Sequence, residues 1–324
     1  MSQAKTRKKP PGASRRAQAP TKKKPQPAKL TPSLIALAAA VVLVVGIGLA
    51  LTVLRDSGSS NPAAGGGVAP RLPRTPDYHS LLVSRTDPRR LVLGTHHGLF
   101  ESSDGGASWR PTAFGRRDAM NLARGGGPAL WAAGHNVLAK STNGGKSWSD
   151  VSPPGLPHLD VHGFAVDGRN PDRMYAAIAG KGLYRSTNAG ASFELVTEEV
   201  GGDVFALAVT RDGRILAGDT RRGLLSSSDG GRTWRALFES PVLGLAVNPK
   251  QPQRILAAGQ LTQLSTDGGR RWKLVLALNE GMGPVAWSES DPRIAYLVGF
   301  DKTLYRSSDG GENWKPVGKK GDSQ

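Results

Sequence analysis

The chain contains no cysteine. That excludes disulfides, thiolate metal sites, a cysteine nucleophile and a lipidated-cysteine anchor. A fold without such staples stays open to it, because 324 residues can build a large core. Aromatic side chains are scarce at 6 %, and only five are Tyr. Acids are few, 26 against 43 Lys and Arg, for a formal net charge of +17. The excess is unevenly placed. Residues 1–29 hold ten Lys or Arg and no acid, which leaves +7 for everything that follows. The remainder is mildly basic, and no specific nucleic-acid binding is expected of it. Phosphate loops, zinc-protease helices and Ser nucleophile elbows are also missing.

The first 29 residues are Lys, Pro, Ala and Gln with almost no large apolar side chain. Such a segment cannot bury enough surface to offset its ordering entropy, so residues 1–29 are expected to form a disordered basic cytoplasmic tail. Leu34 to Leu54 is an uncharged apolar run. At about 1.5 Å per residue it crosses a hydrocarbon layer of roughly 30 Å, which predicts a transmembrane helix within residues 30–54. It is longer than a signal-peptide core of about 7–15 residues. Gly48-Leu49-Ala50 nevertheless has the small-residue character of a cleavage site, so cleavage of the anchor stays open. The charges before the span put the N-terminus inside and the rest of the chain outside the cell membrane, as a single-pass protein. Residues 55–76 are rich in Gly, Ser, Ala and Pro and read as a linker.

The rest is periodic. Ser103-Asp104-Gly105-Gly106-Ala107-Ser108-Trp109 recurs five times with small changes, and the Asp or Asn positions are Asp104, Asn143, Asn188, Asp229, Asp267 and Asp309. Their spacings of 39, 45, 41, 38 and 42 residues are those of four-stranded propeller blades. The Gly pair of five units, Ala189-Gly190 in the third, suits a tight turn at positive φ, the Asp or Asn side chain can hold turn amides, and the Ser or Thr hydroxyl can add a bond. The terminal Trp, or Phe193 in the third unit, is expected to start the last strand and enter the blade core. All six Asp or Asn residues are therefore read as structural.

These segments resemble the Asp boxes, or BNR repeats, of bacterial sialidases and glycosylhydrolase-like proteins, sortilin-type receptors and Ycf48-like assembly factors. The resemblance implies an all-β, six-bladed β-propeller over residues 77–317, followed by a flexible C-terminus at 318–324. Each repeat reads as four strands, A to D, with the box between C and D. No extra strand is visible to interlock the ends, so blade six is expected to pack on blade one.

In a propeller, strand A lines the central channel, and the D-to-A and B-to-C connections share the face opposite the boxes. Aligning the repeats puts Asp77, Asp118, Asp160 and Asp203 at one position near the start of strand A, with His79 and His162 two residues on. The B-to-C turns add His96, His97, His135, Lys181, Arg221, Arg222 and Lys302 to the rim, and His158 lies on the third D-to-A connection. Two readings stand. Strand-start Asp residues can simply cap amides, or these side chains can form a ligand site or a divalent-metal site at the channel mouth.

Sialidase chemistry is disfavoured. The Phe/Tyr-Arg-Ile-Pro motif of that resemblance is missing, and its nearest match, Arg71-Leu72-Pro73, lies in or beside the linker. Tyr78 is the one tyrosine expected near the channel. A different glycoside hydrolase using paired carboxylates stays open. The reading favoured is a binding or scaffold propeller outside the membrane, with a protein or polysaccharide partner. The alternatives are a glycosylhydrolase-like enzyme and a metal-site or assembly factor of the Ycf48-like kind.

Overall fold

The computed structural model describes Met1 and residues 72–318. The tail, the apolar run and most of the linker lie outside the described residues. Among the described residues no helix is long and apolar enough to cross a membrane.

The ring is all-β. Six four-stranded antiparallel sheets follow one another along the chain, each with its strands in sequence order. The A strands are Tyr78–Val83, Asn121–Arg124, Val161–Val166, Val204–Val209, Val242–Val247 and Met282–Trp287. Their backbones crowd one another at the centre. A Cβ on Gly244 would lie 2.2 Å from the Gly283 carbonyl oxygen of the next blade. Blade six packs on blade one through Ala286, Tyr296, Val298 and Leu304 against Leu81, Val83, Leu91 and Leu93. Both blades take all four strands from one continuous stretch, so no strand is shared across the closure, which side-chain packing and the Arg85–Glu289 ion pair at 3.4 Å hold together. Leu72 and Thr75, inside the expected linker, are buried, and Leu72 joins this closing cluster.

The box turns depart from expectation in two respects. Strand D starts one residue after the aromatic, as at Arg110–Pro111 after Trp109 and Arg235–Phe238 after Trp234. The indole lies partly buried at the core's edge, and in four boxes it donates Nε1–H to a box carbonyl, as at 3.1 Å from Gly106 and 2.9 Å from Gly231, whereas Trp148 Nε1 finds no partner. Box hydroxyls do add the expected bond, as Thr233 Oγ1 does by donating to Asp229 Oδ2 at 2.6 Å, but the buried hydroxyl lies outside the box. The working serine is the last residue of strand C, one position before the box as read from sequence. Ser102 Oγ donates to Asp104 Oδ1 at 2.7 Å and accepts the Gly106 amide at 2.8 Å. Ser141, Ser186, Ser227, Ser265 and Ser307 repeat both bonds. These hydroxyls are buried, and each satisfies an amide that the turn would otherwise orphan. The Asp104 carboxylate also accepts the Ser108 amide at 2.9 Å. Burial alone would raise its pKa, but donors from Ser108 and Ser102 hold it down at about 2.

Arginines near the A-to-B turns tie blades together. Arg214 Nη2 donates to the Gly268 carbonyl of the next box at 2.7 Å, and Arg254 does the same to Gly310 at 2.7 Å.

Candidate functional site: a histidine–aspartate array at the channel mouth

Successive turns of an antiparallel sheet alternate between its two ends. The boxes occupy one end of every blade, so the D-to-A and B-to-C connections occupy the other. There the strand-start Asp residues and the turn histidines meet.

A backbone irregularity aims the inner side chains. In blade one Tyr78 pairs with Thr95 and Ser80 with Gly94, which leaves His79 outside the ladder. In blade three Val161 pairs with Ile178 and Gly163 with Ala177, which leaves out His162. Phe205 and Leu243 are skipped in the same way in blades four and five. Each is the extra residue of a β-bulge, a device that turns a side chain away from its normal alternation. His79, Met120, Phe205 and Leu243 line a channel of about 80 Å³. His162 stacks on Phe205 with ring centroids 4.9 Å apart.

From His79 the polar groups run on across blades one to three. His79 Nε2 lies 3.0 Å from Asp77 Oδ1 and 3.7 Å from Asp118 Oδ1. His96 Nδ1 is 3.6 Å from Asp118 Oδ1. The other Asp118 oxygen accepts His135 Nδ1–H at 2.6 Å and the His135 amide at 3.2 Å. Beyond it, Asp160 Oδ1 lies 3.7 Å from His135 Nε2 and 3.4 Å from His162 Nε2. His162 Nδ1–H donates to the Gly202 carbonyl at 2.8 Å. Both of these imidazoles thus have Nδ1 engaged and present Nε2 to Asp160.

Charge follows from these contacts. Burial would raise the Asp118 carboxyl, but the His135 hydrogen bond and the charge of His79 hold it below the usual carboxylate range. Burial likewise opposes ionisation of Asp77, and the closeness of His79 and the charge of His96 outweigh it. The hydrogen bond to Asp118 raises His135 against the effect of its burial. Asp77 Oδ1, His79 Nε2, Asp118 Oδ1 and Asp160 Oδ1 are all buried without an aligned hydrogen bond. The 3.0 Å pair of Asp77 and His79 is close but not directed as donor and acceptor.

Three sets of ligand atoms lie within 4.8 Å of one another: Asp77, His79 and His96; His96, Asp118 and His135; His135, Asp160 and His162. His79 and His162, equivalent by repeat, fall in different sets and do not share one centre. Asp203, equivalent to the other three Asp residues, instead pairs with Arg221, whose Nε is 2.8 Å away. With Lys181, Glu199, Gly202 and Arg222 they line a groove of about 430 Å³ beside His162. Arg222 is held by buried Asp219 at 3.0 Å. His97 stands beside His96, with centroids 5.8 Å apart. His158 Nδ1 accepts the Asp160 amide at 3.2 Å and shapes the approach to strand A. Lys302 is exposed on the blade-six B-to-C turn at φ 62°. Tyr78 does not reach the channel: it is buried in the closing cluster, its hydroxyl donates to the Pro73 carbonyl at 2.9 Å, and burial beside Asp77 pushes it up to about 12.

Comparison with known proteins bears on the whole ring. A curated photosystem II assembly lipoprotein Ycf48 from Synechococcus sp. (strain CC9902) is 24 % identical over 297 residues, covering 86 % of each chain. A Paenibacillus xyloglucanase is 24 % identical over 86 % of this chain but only 35 % of its own length. The crystal structure of a GH74 xyloglucanase from Xanthomonas campestris shares the fold, with TM-score 0.54 and 18 % identity over 78 % of this chain and 46 % of that one. The family described as photosynthesis system II assembly factor YCF48 matches residues 80–319, from strand A of blade one past the last box. Six Asp-box blades and a match over nearly the entire ring place the chain in that YCF48 family.

Proposed function

We propose that the chain is a membrane-anchored assembly factor whose propeller binds a protein partner outside the membrane through the histidine-bearing face. The observation that carries this reading is the division of labour between the two faces. One end of every blade is committed to box turns that serve folding. The other gathers the histidines, three converging carboxylates and the Lys181–Arg222 groove around the channel mouth. Family membership supplies the class of activity, since an assembly factor acts by holding another protein.

The Synechococcus relative is described as a lipoprotein. This chain has no cysteine to carry a lipid, and the Leu34–Leu54 run would anchor it instead. Glycoside hydrolysis, suggested by the xyloglucanase relatives, is the weaker reading. A hydrolase needs an acid and a base free to act across a sugar. Here Asp118 accepts bonds from His135 and Asp203 pairs with Arg221, while Asp77 and Asp160 lie against imidazoles.

Site-specific photo-crosslinking of the full chain in its own cells tests the reading. Probes at His97, Lys181 and Lys302 should capture one defined membrane-protein partner, while probes at Lys146 and Arg232, beside the boxes, should not. Capture from both faces alike, or release of sugar from xyloglucan by the purified chain, would overturn it.

A further inference from the structure

Four ligating side chains lie in contact where blade one adjoins blade two, in two overlapping sets that share His96. Asp77 and His79 come from the start of the first A strand, His96 from the first B-to-C turn, and Asp118 from the approach to the second A strand. Asp118 is the pivot. Its side chain is 6 % exposed, and Oδ1 is buried with no hydrogen-bond donor. A buried carboxylate oxygen in that state is costly, because it has left water without a replacement. Its nearest neighbours, His79 Nε2 at 3.7 Å and His96 Nδ1 at 3.6 Å, are too far for hydrogen bonds. Asp77 Oδ1 and His79 Nε2, 3.0 Å apart, are also buried and unbonded.

These separations have a simple explanation. Four ligands placed tetrahedrally about 2.0–2.1 Å from a zinc-sized ion lie about 3.3 Å from one another. The observed 3.0, 3.6 and 3.7 Å straddle that value. An ion held by Asp77, His79 and His96 would satisfy two orphaned atoms, Asp77 Oδ1 and His79 Nε2. The Asp77 carboxylate would balance part of its charge, and Asp118 Oδ1 stands 3.6–3.7 Å from both imidazoles. Two imidazoles among the donors select a first-row transition ion over calcium or magnesium, which prefer oxygen alone.

The surroundings hold the donors in place. The second Asp118 oxygen is fixed by the His135 ring and amide. Buried Thr95 accepts the His97 amide at 3.0 Å and donates to the Gly98 carbonyl at 3.0 Å, which shapes the turn carrying His96. Outer bonds of this kind orient metal ligands in known sites. The neighbouring set of His135, Asp160 and His162 holds one orphaned atom rather than two, and its Asp160 is 36 % exposed.

We infer that Asp77, His79 and His96, with Asp118 Oδ1 lying against both imidazoles, form a binding site for one divalent first-row transition-metal ion, with zinc the best match. The site stands on these residues alone, whatever partner the face engages.

The test is calorimetric titration of the untagged full-length chain with zinc chloride, paired with the visible spectrum of the cobalt(II) form. The expected result is one ion per chain and an absorption typical of tetrahedral nitrogen and oxygen ligands. The His79→Ala/His96→Ala double variant should lose saturable binding, and His162→Ala should keep it. His96 lies on an exposed turn, so His96→Ala alone keeps the test open if the double variant misfolds: it should weaken binding at an unchanged melting temperature. Absence of saturable binding by the wild-type chain would overturn the site. So would retention in the double variant with loss in His162→Ala, which would place the ion at the other triad.

Discussion

Asp118 and His135 are joined through one oxygen: Asp118 Oδ2 accepts both the His135 ring Nδ1–H at 2.6 Å and the His135 amide at 3.2 Å. The start of strand A in blade two is thereby tied to the B-to-C turn of the same blade. The consequence is directional. With Oδ2 committed, Oδ1 faces His79 and His96 in blade one. A residue that repeat alignment treats as one of four equivalents becomes the hinge between two blades' imidazoles.

The serine at the end of strand C should matter more than the Ser or Thr that follows it. Ser141→Ala leaves the part-buried Gly145 amide without its acceptor and should cost about 1–3 kcal/mol. Thr142→Ala, at the exposed next position, should stay within about 0.5 kcal/mol. Urea unfolding of both variants checks the order, and equal losses would return the role to the box position.

Acid stability should depend on the box carboxylates. The Asp104 carboxyl is held at about 2 in the fold against an ordinary 3.8, and Asp229, Asp267 and Asp309 are lowered as well. A carboxyl lowered by folding contributes stability above its unfolded pKa and loses it as pH falls through the folded one. The ring should therefore weaken from about pH 4 downward. Asn143 and Asn188 already fill the same position with the same amide bonds. Replacing the four Asp by Asn should keep the fold at pH 7 and flatten the fall in melting temperature between pH 4 and pH 2. An unchanged acid profile would count against these groups.

Close approach of the A strands makes a separate prediction. Gly244→Ala would put a methyl against the Gly283 carbonyl of the neighbouring blade. It should lower stability by about 3 kcal/mol, the upper end for overpacking. Gly144→Ala, at φ 72° with no atom nearby, should cost only the left-handed backbone strain of about 1–2 kcal/mol. Thermal unfolding of the pair measures the difference, and a larger loss at Gly144 would contradict the tight centre.

Orientation across the membrane is checked directly. If the proposed anchoring holds, protease added to intact cells should digest the propeller and leave the basic tail protected, the outcome the positive-inside rule predicts for the charges around Leu34–Leu54. A protected propeller would place it inside.

Much of the fold is legible in the sequence. Six boxes at blade spacing state the number of blades, because each box is a local turn whose Gly, Asp and Ser requirements are met within a few residues. The same locality explains why A-strand limits such as Tyr78–Val83 and Val204–Val209 could be read from short apolar runs. The working serine was also within reach: Ser102, Ser141, Ser186, Ser227, Ser265 and Ser307 are identical in all six repeats, whereas the next position varies. The sequence by itself thus determined the repeat, the ring and the face on which its histidines lie. Only the tertiary structure decided which of them meet. Repeat alignment made His79 and His162 equivalents and Asp203 a fourth partner. In the ring His79 shares Asp118 with His96 and His135, His162 turns to Asp160, and Asp203 is taken by Arg221. Those pairings depend on bulges that redirect one side chain per strand and on contacts between residues some 17 to 40 positions apart. Neither leaves a mark in the period of the sequence, because a bulge changes hydrogen-bond register without changing composition, and a contact between blades is set by how the ring closes.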